Sequence, residues 1–144
     1  MKHIGNVKKL FISNKDSKKR IEVEYINCDE DGIIGDKFYK KDKNRSILLS
    51  SLYSYKKAQE NNININHGIL GENILLDFDP HKLPLGTKIY IADVILQISQ
   101  ECTICNHLSS IDKKLPKLLS KDRGIFSYTI KNGVIKNTDK VYIV

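Results

Sequence analysis

The sequence predicts a mostly β chain, a barrel or sandwich of short strands with one or two brief helices, and three observations carry that prediction. Short stretches rich in β-branched and aromatic residues recur along the whole 144-residue chain. Turn signals such as Leu83-Pro84-Leu85-Gly86, Ala92-Asp93 and Asn132-Gly133 separate them. No alternation of strands with long helical patterns, internal repeat or proline-rich linker points to a parallel α/β sheet or a second unit. The length suits one domain over residues 1–144.

Taken in order, Ile4 to Ile12 and Arg20 to Ile26 read as a hairpin with a mobile polar tip, Asn14 to Lys19. Ile21, Val23 and Tyr25 fall on one face of its second strand, opposite Glu22 and Glu24, so one side of that strand is expected to be wet. Arg45 to Leu49 is a short strand, and Ser50 or Ser51 caps a helix to about Glu60, with Leu52, Tyr55 and Gln59 on a common face. Asn61 to Asn66 breaks that helix, and Gly68 to Gly71 turns the chain into a strand from Asn73 to Leu76. Thr87 to Ile91 and Val94 to Ser99 form a tight hairpin about Ala92-Asp93. At the C-terminus Phe126 to Lys131 and Val134 to Lys136 flank Asn132-Gly133, a pair suited to a type I′ turn, and Lys140 to Val144 closes the sheet.

The formal net charge is +7. The lysines are dispersed and no aromatic-basic interleaving marks a stacking platform, so nucleic acid is not the expected partner. Lysine, asparagine and isoleucine dominate as a genome-wide compositional bias would make them. Against that background Arg20, Arg45 and Arg123 are the only arginines. A planar guanidinium that grips an oxyanion with two parallel hydrogen bonds is not replaced by a lysine point charge, so Arg45 and Arg123 are candidate anion contacts. Arg20 reads as a surface residue. The first segment, MKHIGNVKKLFISNKDSKK, has no apolar run beyond Leu10 to Ile12, so no signal sequence or membrane span is expected and the location should be cytoplasmic. Cys28, Cys102 and Cys105 are an odd count in such a chain, and free thiols are expected.

Three segments carry chemistry. Cys102-Thr103-Ile104-Cys105, at a strand end and followed by His107, admits a redox dithiol, half of a zinc site completed from Cys28, His67 or His107, or one reactive thiol with a bystander. A buried inert cysteine fits Cys28 better than Cys105. Gly32-Ile33-Ile34-Gly35-Asp36-Lys37 is a glycine turn in which Asp36 can orient amides or an arginine. Gly68-Ile69-Leu70-Gly71-Glu72-Asn73 has similar spacing, and the two turns can converge on a polar pocket.

The order of these segments is the specific feature. Gly32-x-x-Gly35-Asp36, Arg45-Ser46-Ile47-Leu48-Leu49, Gly68-x-x-Gly71-Glu72-Asn73, Leu83-Pro84-x-Gly86-Thr87, Gln100-x-Cys102-x-x-Cys105-x-x-Leu108 and Arg123-Gly124 together resemble the MOSC family, named after the C-terminal domain of molybdenum-cofactor sulfurase. The resemblance runs from about Gly32 to the C-terminus and implies a MOSC, pyruvate-kinase-type β-barrel. It also implies a pocket for the molybdenum cofactor (molybdopterin) and one cysteine that ligates molybdenum or carries sulfur as a persulfide. That cysteine falls on Cys105. Gly35, Asp36, Arg45, Ser46, Gly71, Glu72, Asn73 and Arg123 are then the expected cofactor contacts, with Asn73 on the pterin edge or on backbone. The implied partners are the cofactor or a sulfur donor or acceptor protein; pyridoxal phosphate is an association of the family alone.

The chain departs from many relatives in having Lys37-Phe38 where they have Arg-His, and it shows no counterpart of the extra N-terminal barrel region and C-terminal helical extension of longer ones. Some family members reduce N-hydroxylated compounds and others deliver sulfur. The competing reading is a non-catalytic anion-binding or interaction module with a structural cysteine or zinc site.

Overall fold

The computed structural model describes residues 1–14, 20–103 and 106–144. Cys105 and most of the polar tip of the first hairpin, residues 15–19, therefore lie outside the described residues. The described strands are β1 (Lys2–Ser13), β2 (Arg20–Val23), β3 (Tyr25–Asp29), β4 (Gly32–Ile33), β5 (Ile47–Ser51), β6 (Ile74–Leu76), β7 (Lys88–Ile91), β8 (Val94–Glu101), β9 (Ile125–Lys131), β10 (Gly133–Lys136) and β11 (Lys140–Ile143). Three short helices, α1 (Leu52–Glu60), α2 (Asn106–Ile111) and α3 (Leu115–Leu118), complete the set with two single 3-10 turns.

The large sheet runs β11-β7-β8-β9-β5-β6-β1-β2, and β11 pairs back onto β1, closing seven strands into a barrel with β2 as a flap on its edge. All these pairings are antiparallel except β5 with β6, which are parallel and joined through α1. A parallel pair needs a crossover, and a helix supplies it. Closure leaves the barrel with no open edge of its own.

The short run Ile74-Leu75-Leu76 is buried on both faces of β6. Ile74 and Leu76 enter the barrel core with Leu10, Leu49, Ile89, Leu96 and Ile125, while Leu75 joins Phe11, Tyr55 and Ala58 in an outer cluster under the helices. A strand with apolar neighbours on both sides loses the polar alternation of a half-wet strand. Ser51 caps α1 as expected, its hydroxyl accepting the Tyr53 amide at 2.9 Å.

Two expectations need correction. The second strand does not run straight to Ile26: it breaks at Glu24, and β3 belongs to a separate sheet of order β10-β3-β4. Ile21 and Tyr25 are exposed, and after the break Ile26 and Cys28 point into the core. On α1 Leu52, Tyr55 and Gln59 do share a face, while the buried residues are Ser54, Tyr55 and Ala58. Asn132-Gly133 is no hairpin, because β9 pairs with β8 and β5 whereas β10 crosses to pair with β3. Gly133 passes close to β8: a Cβ there would lie 3.0 Å from Val94 Cγ2, a tight contact. Among the described residues no helix is long and apolar enough to cross a membrane.

Gly5 shows how tightly the closing strand is packed. It sits at a register shift of β1 against β11, and a Cβ on it would meet Phe78 Cδ1 at 2.2 Å and Asp77 Oδ1 at 2.6 Å. Asp77 is itself pinned by the Asn6 amide at 2.7 Å and the Asn6 side chain at 3.0 Å, so it has little room to yield. Gly5→Ala is expected to lower stability by about 1–3 kcal/mol, read as an earlier urea midpoint with an unchanged slope.

Candidate functional site

A cleft of about 830 Å³ opens where the two glycine turns meet β5 and the start of β9. Its volume falls in the ordinary range for small-molecule and cofactor sites. Lys37, Phe38, Lys41 and Arg45 come from the first turn and the segment after it, His67, Gly68 and Gly71 from the second. Cys102, His107, Arg123 and Phe126 come from the C-terminal half. Arg20, Lys37, Lys41, Arg45 and Arg123 face Asp42 as the lone carboxylate among the described lining residues. A concave, strongly cationic wall concentrates anions.

Arg20 is not a surface arginine. Its side chain is 12% exposed, its Nη1 lies 3.4 Å from Asp36 Oδ1, and its guanidinium stands 5.7 Å from the Phe38 ring centre. Burial pulls it below the usual arginine pKa, the charges of Asp36 and Glu72 oppose that, and Arg123 adds to it; a guanidinium nevertheless stays charged. Nothing in the chain's pattern marks Arg20, because its neighbours in space come from residues 36–38.

Arg45 lies 4.9 Å from the Phe126 ring centre, and its Nε is buried without a hydrogen-bond partner among the described residues. Arg123 is buried, with Nη1 donating to the Leu70 carbonyl at 2.6 Å. These contacts hold the guanidinium groups in fixed orientations, the property that separates arginine from lysine in anion recognition.

The acidic residues of the two turns build the wall and do not line it. Asp36 is buried; its Oδ1 accepts the Ser13 amide at 2.7 Å and its Oδ2 the Phe38 amide at 3.3 Å, so it ties the end of β1 to the turn and to Arg20. Glu72 is fully buried, and its Oε2 accepts the Ser50 and Tyr55 hydroxyls, each at 2.6 Å. Tyr55 in turn accepts the Gly68 amide at 3.0 Å and the Leu70 amide at 3.4 Å. Burial first, then the Glu72 charge and hydrogen bond, push Tyr55 far above the ordinary tyrosine range, which keeps it a neutral donor.

Of the remaining expected contacts, Gly71 lines the cleft with φ +87, a backbone angle that favours glycine, and its absent Cβ leaves Arg123 Nη2 just within van der Waals reach at 3.9 Å. Ser46 lines it too, with its hydroxyl donating to the Lys43 carbonyl at 2.9 Å. Asn73 lines it while its side chain bridges backbone, accepting from the Leu48 amide at 3.0 Å and donating to the Phe11 carbonyl at 3.2 Å. Gly35 is exposed and off the cleft, and its φ of +92 serves the turn. His67 packs edge-on against Tyr55 at 4.8 Å, and burial with the Lys9 charge lowers its pKa. His107 Nε2 lies 2.9 Å from the Ile69 carbonyl.

Cys105 lies outside the described residues, but Cys102 and His107, on either side of it in the chain, both line the cleft. Cys102 is buried and free. Cys28 is a free thiol in the barrel core; burial first, then Asp29, push its pKa up to about 12, as an inert cysteine requires. Among the described residues no cysteine joins His67 or His107 in a group that could hold a metal ion.

The comparisons agree with this architecture. A family model described as the MOSC domain matches residues 29–142. No curated protein matches the chain in sequence. The crystal structure of the YuaD protein from Bacillus subtilis superposes with a TM-score of 0.84 at 17% identity, covering 95% of this chain and 93% of that one. YiiM from Escherichia coli superposes with a TM-score of 0.70 at 15% identity, over 96% of this chain and 69% of its own. YiiM from Geobacillus stearothermophilus gives 0.71 at 15%, over 99% and 74%. At these identities the likeness is one of fold.

Tyr55→Phe removes the donor to a buried carboxylate and the acceptor of two amides, and a loss of about 1–3 kcal/mol is expected, with faster amide exchange at Gly68 and Leu70. Cys28 sets an alkaline limit. Its thiol stays protonated in the folded chain up to about pH 12 but ionises from about 9.0 once unfolded, so the unfolded state gains as pH rises through that window. Urea midpoints of the wild type should fall between those values more steeply than those of Cys28→Ala.

Proposed function

Since the chain belongs to the MOSC domain family, we propose that the cleft holds the molybdenum cofactor, with Cys105 as the thiolate ligand of the metal. The observation that carries this reading is the gathering of all three arginines of a lysine-rich chain on one cleft of about 830 Å³. A phosphorylated, planar guest asks for oriented guanidinium groups and flat apolar walls, and Arg20, Arg45 and Arg123 stand there beside Phe38 and Phe126. The buried Arg45 Nε without a partner suits an oxyanion acceptor. A persulfide carrier needs a thiol and a path to it, and would leave the cationic wall without a use.

When bound, the cofactor supplies two-electron redox chemistry at molybdenum, which the resemblance connects with reduction of N-hydroxylated compounds. The chain's own residues do the rest. Arg45 and Arg123 would hold the anionic tail, with Arg123 braced on the Leu70 carbonyl. Arg20, fixed by Asp36, adds a further positive charge to the lining. Cys105, as a soft thiolate, would be the ligand of the metal.

Anaerobic reconstitution of the purified chain with molybdenum cofactor tests the reading. The wild type should retain molybdenum and pterin together, Cys105→Ala should lose molybdenum, and Arg45→Ala should weaken retention about 10- to 100-fold. Equal molybdenum in Cys105→Ala and wild type would reject the ligand role, and a persulfide on Cys105 in a chain that takes up no cofactor would move the reading to sulfur carriage.

A further inference from the structure

An arginine carries its charge at any ordinary pH, whereas a histidine changes charge between about pH 5 and pH 8. The cleft holds both kinds: Arg20, Arg45 and Arg123 line it together with His67 and His107. His107 is committed, because a carbonyl can only accept and its Nε2, 2.9 Å from the Ile69 oxygen, must donate there. His67 is not. Its ring packs edge-on against Tyr55 at 4.8 Å, and its imidazole nitrogens have no hydrogen-bond partner among the described residues.

His67 stands in the link from α1 to β6, just ahead of the second glycine turn, and is half-buried. It borders two spaces, the cleft and a smaller pocket of about 370 Å³ between α1 and residues 63–67. Charges reach it from several elements. Lys9 on β1 disfavours the protonated ring, Glu22 on β2 and the buried Glu72 favour it, and Tyr55 on α1 stays neutral. Burial is the largest influence and also opposes the cation, so the ring is held below the ordinary histidine pKa. Arg20, Lys37, Lys41, Asp42, Arg45 and Arg123 are the other charged groups of the described lining. An anion drawn in by those cations brings negative charge to the imidazole and reverses the balance.

We infer that His67 is a proton-linked contact for oxyanions in the cleft: a dianionic guest draws one proton from solvent onto the imidazole, and the cleft binds such guests more tightly as pH falls. The favoured chemistry is a sulfate-like or phosphate-like group, free or carried on a larger molecule. One N–H bond forms, the solvent gives up one proton, and nothing is oxidised or reduced. The sign follows from linkage. A bound anion raises the pKa of His67 from its depressed value, so affinity is lowest above the raised value, climbs as pH falls between the two, and levels off below the lower one. A gain of about tenfold in affinity matches a rise of one on the pKa scale. The inference rests on the reading of the cleft as an anion site and needs neither molybdenum nor a pterin.

Inorganic sulfate tests it, because sulfate stays dianionic across the range in which histidine titrates. Its affinity for the full chain, measured by calorimetry at constant ionic strength, should rise about 3- to 10-fold from about pH 8 to about pH 5.5. Arg45→Ala should weaken binding at every pH, which places the sulfate in the cleft. In His67→Gln the rise with acid should vanish, and in the wild type saturating sulfate should move the NMR titration of the His67 ring to higher pH. A rise that survives in His67→Gln, or that is lost in His107→Gln or Cys105→Ser instead, overturns the inference. So does a ring titration that sulfate leaves unchanged, a result that needs no variant to fold. Failed cofactor uptake with pH-linked sulfate binding intact would count against the cofactor reading alone, and cofactor uptake without that link would count against His67 alone.

Discussion

The carboxylate of Glu72 is fully buried, and the cleft wall is organised around the need to keep it there. A desolvated carboxylate is tolerated when donors and opposite charge surround it. Ser50 on β5 and Tyr55 on α1 both donate to its Oε2, and the charge of Arg20 acts through the same region. The Tyr55 oxygen then gathers the Gly68 and Leu70 amides, and the Leu70 carbonyl receives Arg123. A chain of hydrogen bonds thus runs from the crossover helix, through a buried acid and a glycine turn, to a cationic group in the cleft. The links at Glu72 and at Arg123 are 2.6 Å, and those from Tyr55 to the glycine turn are 3.0 and 3.4 Å.

Barrel closure does the gathering. Arg20 begins the flap strand, Arg45 ends a 3-10 turn ahead of β5, and Arg123 precedes β9. In the sheet order β9, β5, β6, β1 and β2 are successive neighbours, which brings these three starts to one region although more than a hundred residues separate the first from the last. The apolar interior of the barrel supplies the stability, and the cleft is assembled from what projects beyond the strand ends. That division lets a mostly apolar scaffold carry a strongly cationic site without burying unpaired charge in its core.

Local chemistry was legible wherever a residue acts on its immediate neighbours. Ser51 as the cap of α1, the Ala92-Asp93 hairpin and the glycine turns at 32–35 and 68–71 all follow from hydrogen bonds or backbone angles within a few residues. Tyr25 was misjudged because alternation names a face without saying whether the strand continues. There the chain bends at Glu24 and changes sheets. Asn132-Gly133 matched a turn signature, but β10 crosses to pair with β3 and passes close to Val94.

By itself the sequence determined the fold class, the family and the set of residue types able to handle an anion, since strand period, turn chemistry and ordered motifs are one-dimensional properties. Tertiary structure alone decided which of those residues meet: Asp36 and Glu72 turned inward to hold the walls, Arg20 drawn from an unremarked strand start into the cleft, and His67 packed edge-on against Tyr55. The physical reason is that a carboxylate serves equally well as a ligand contact or as a buried anchor, and only burial and partners, both set by the folded chain, separate the two roles.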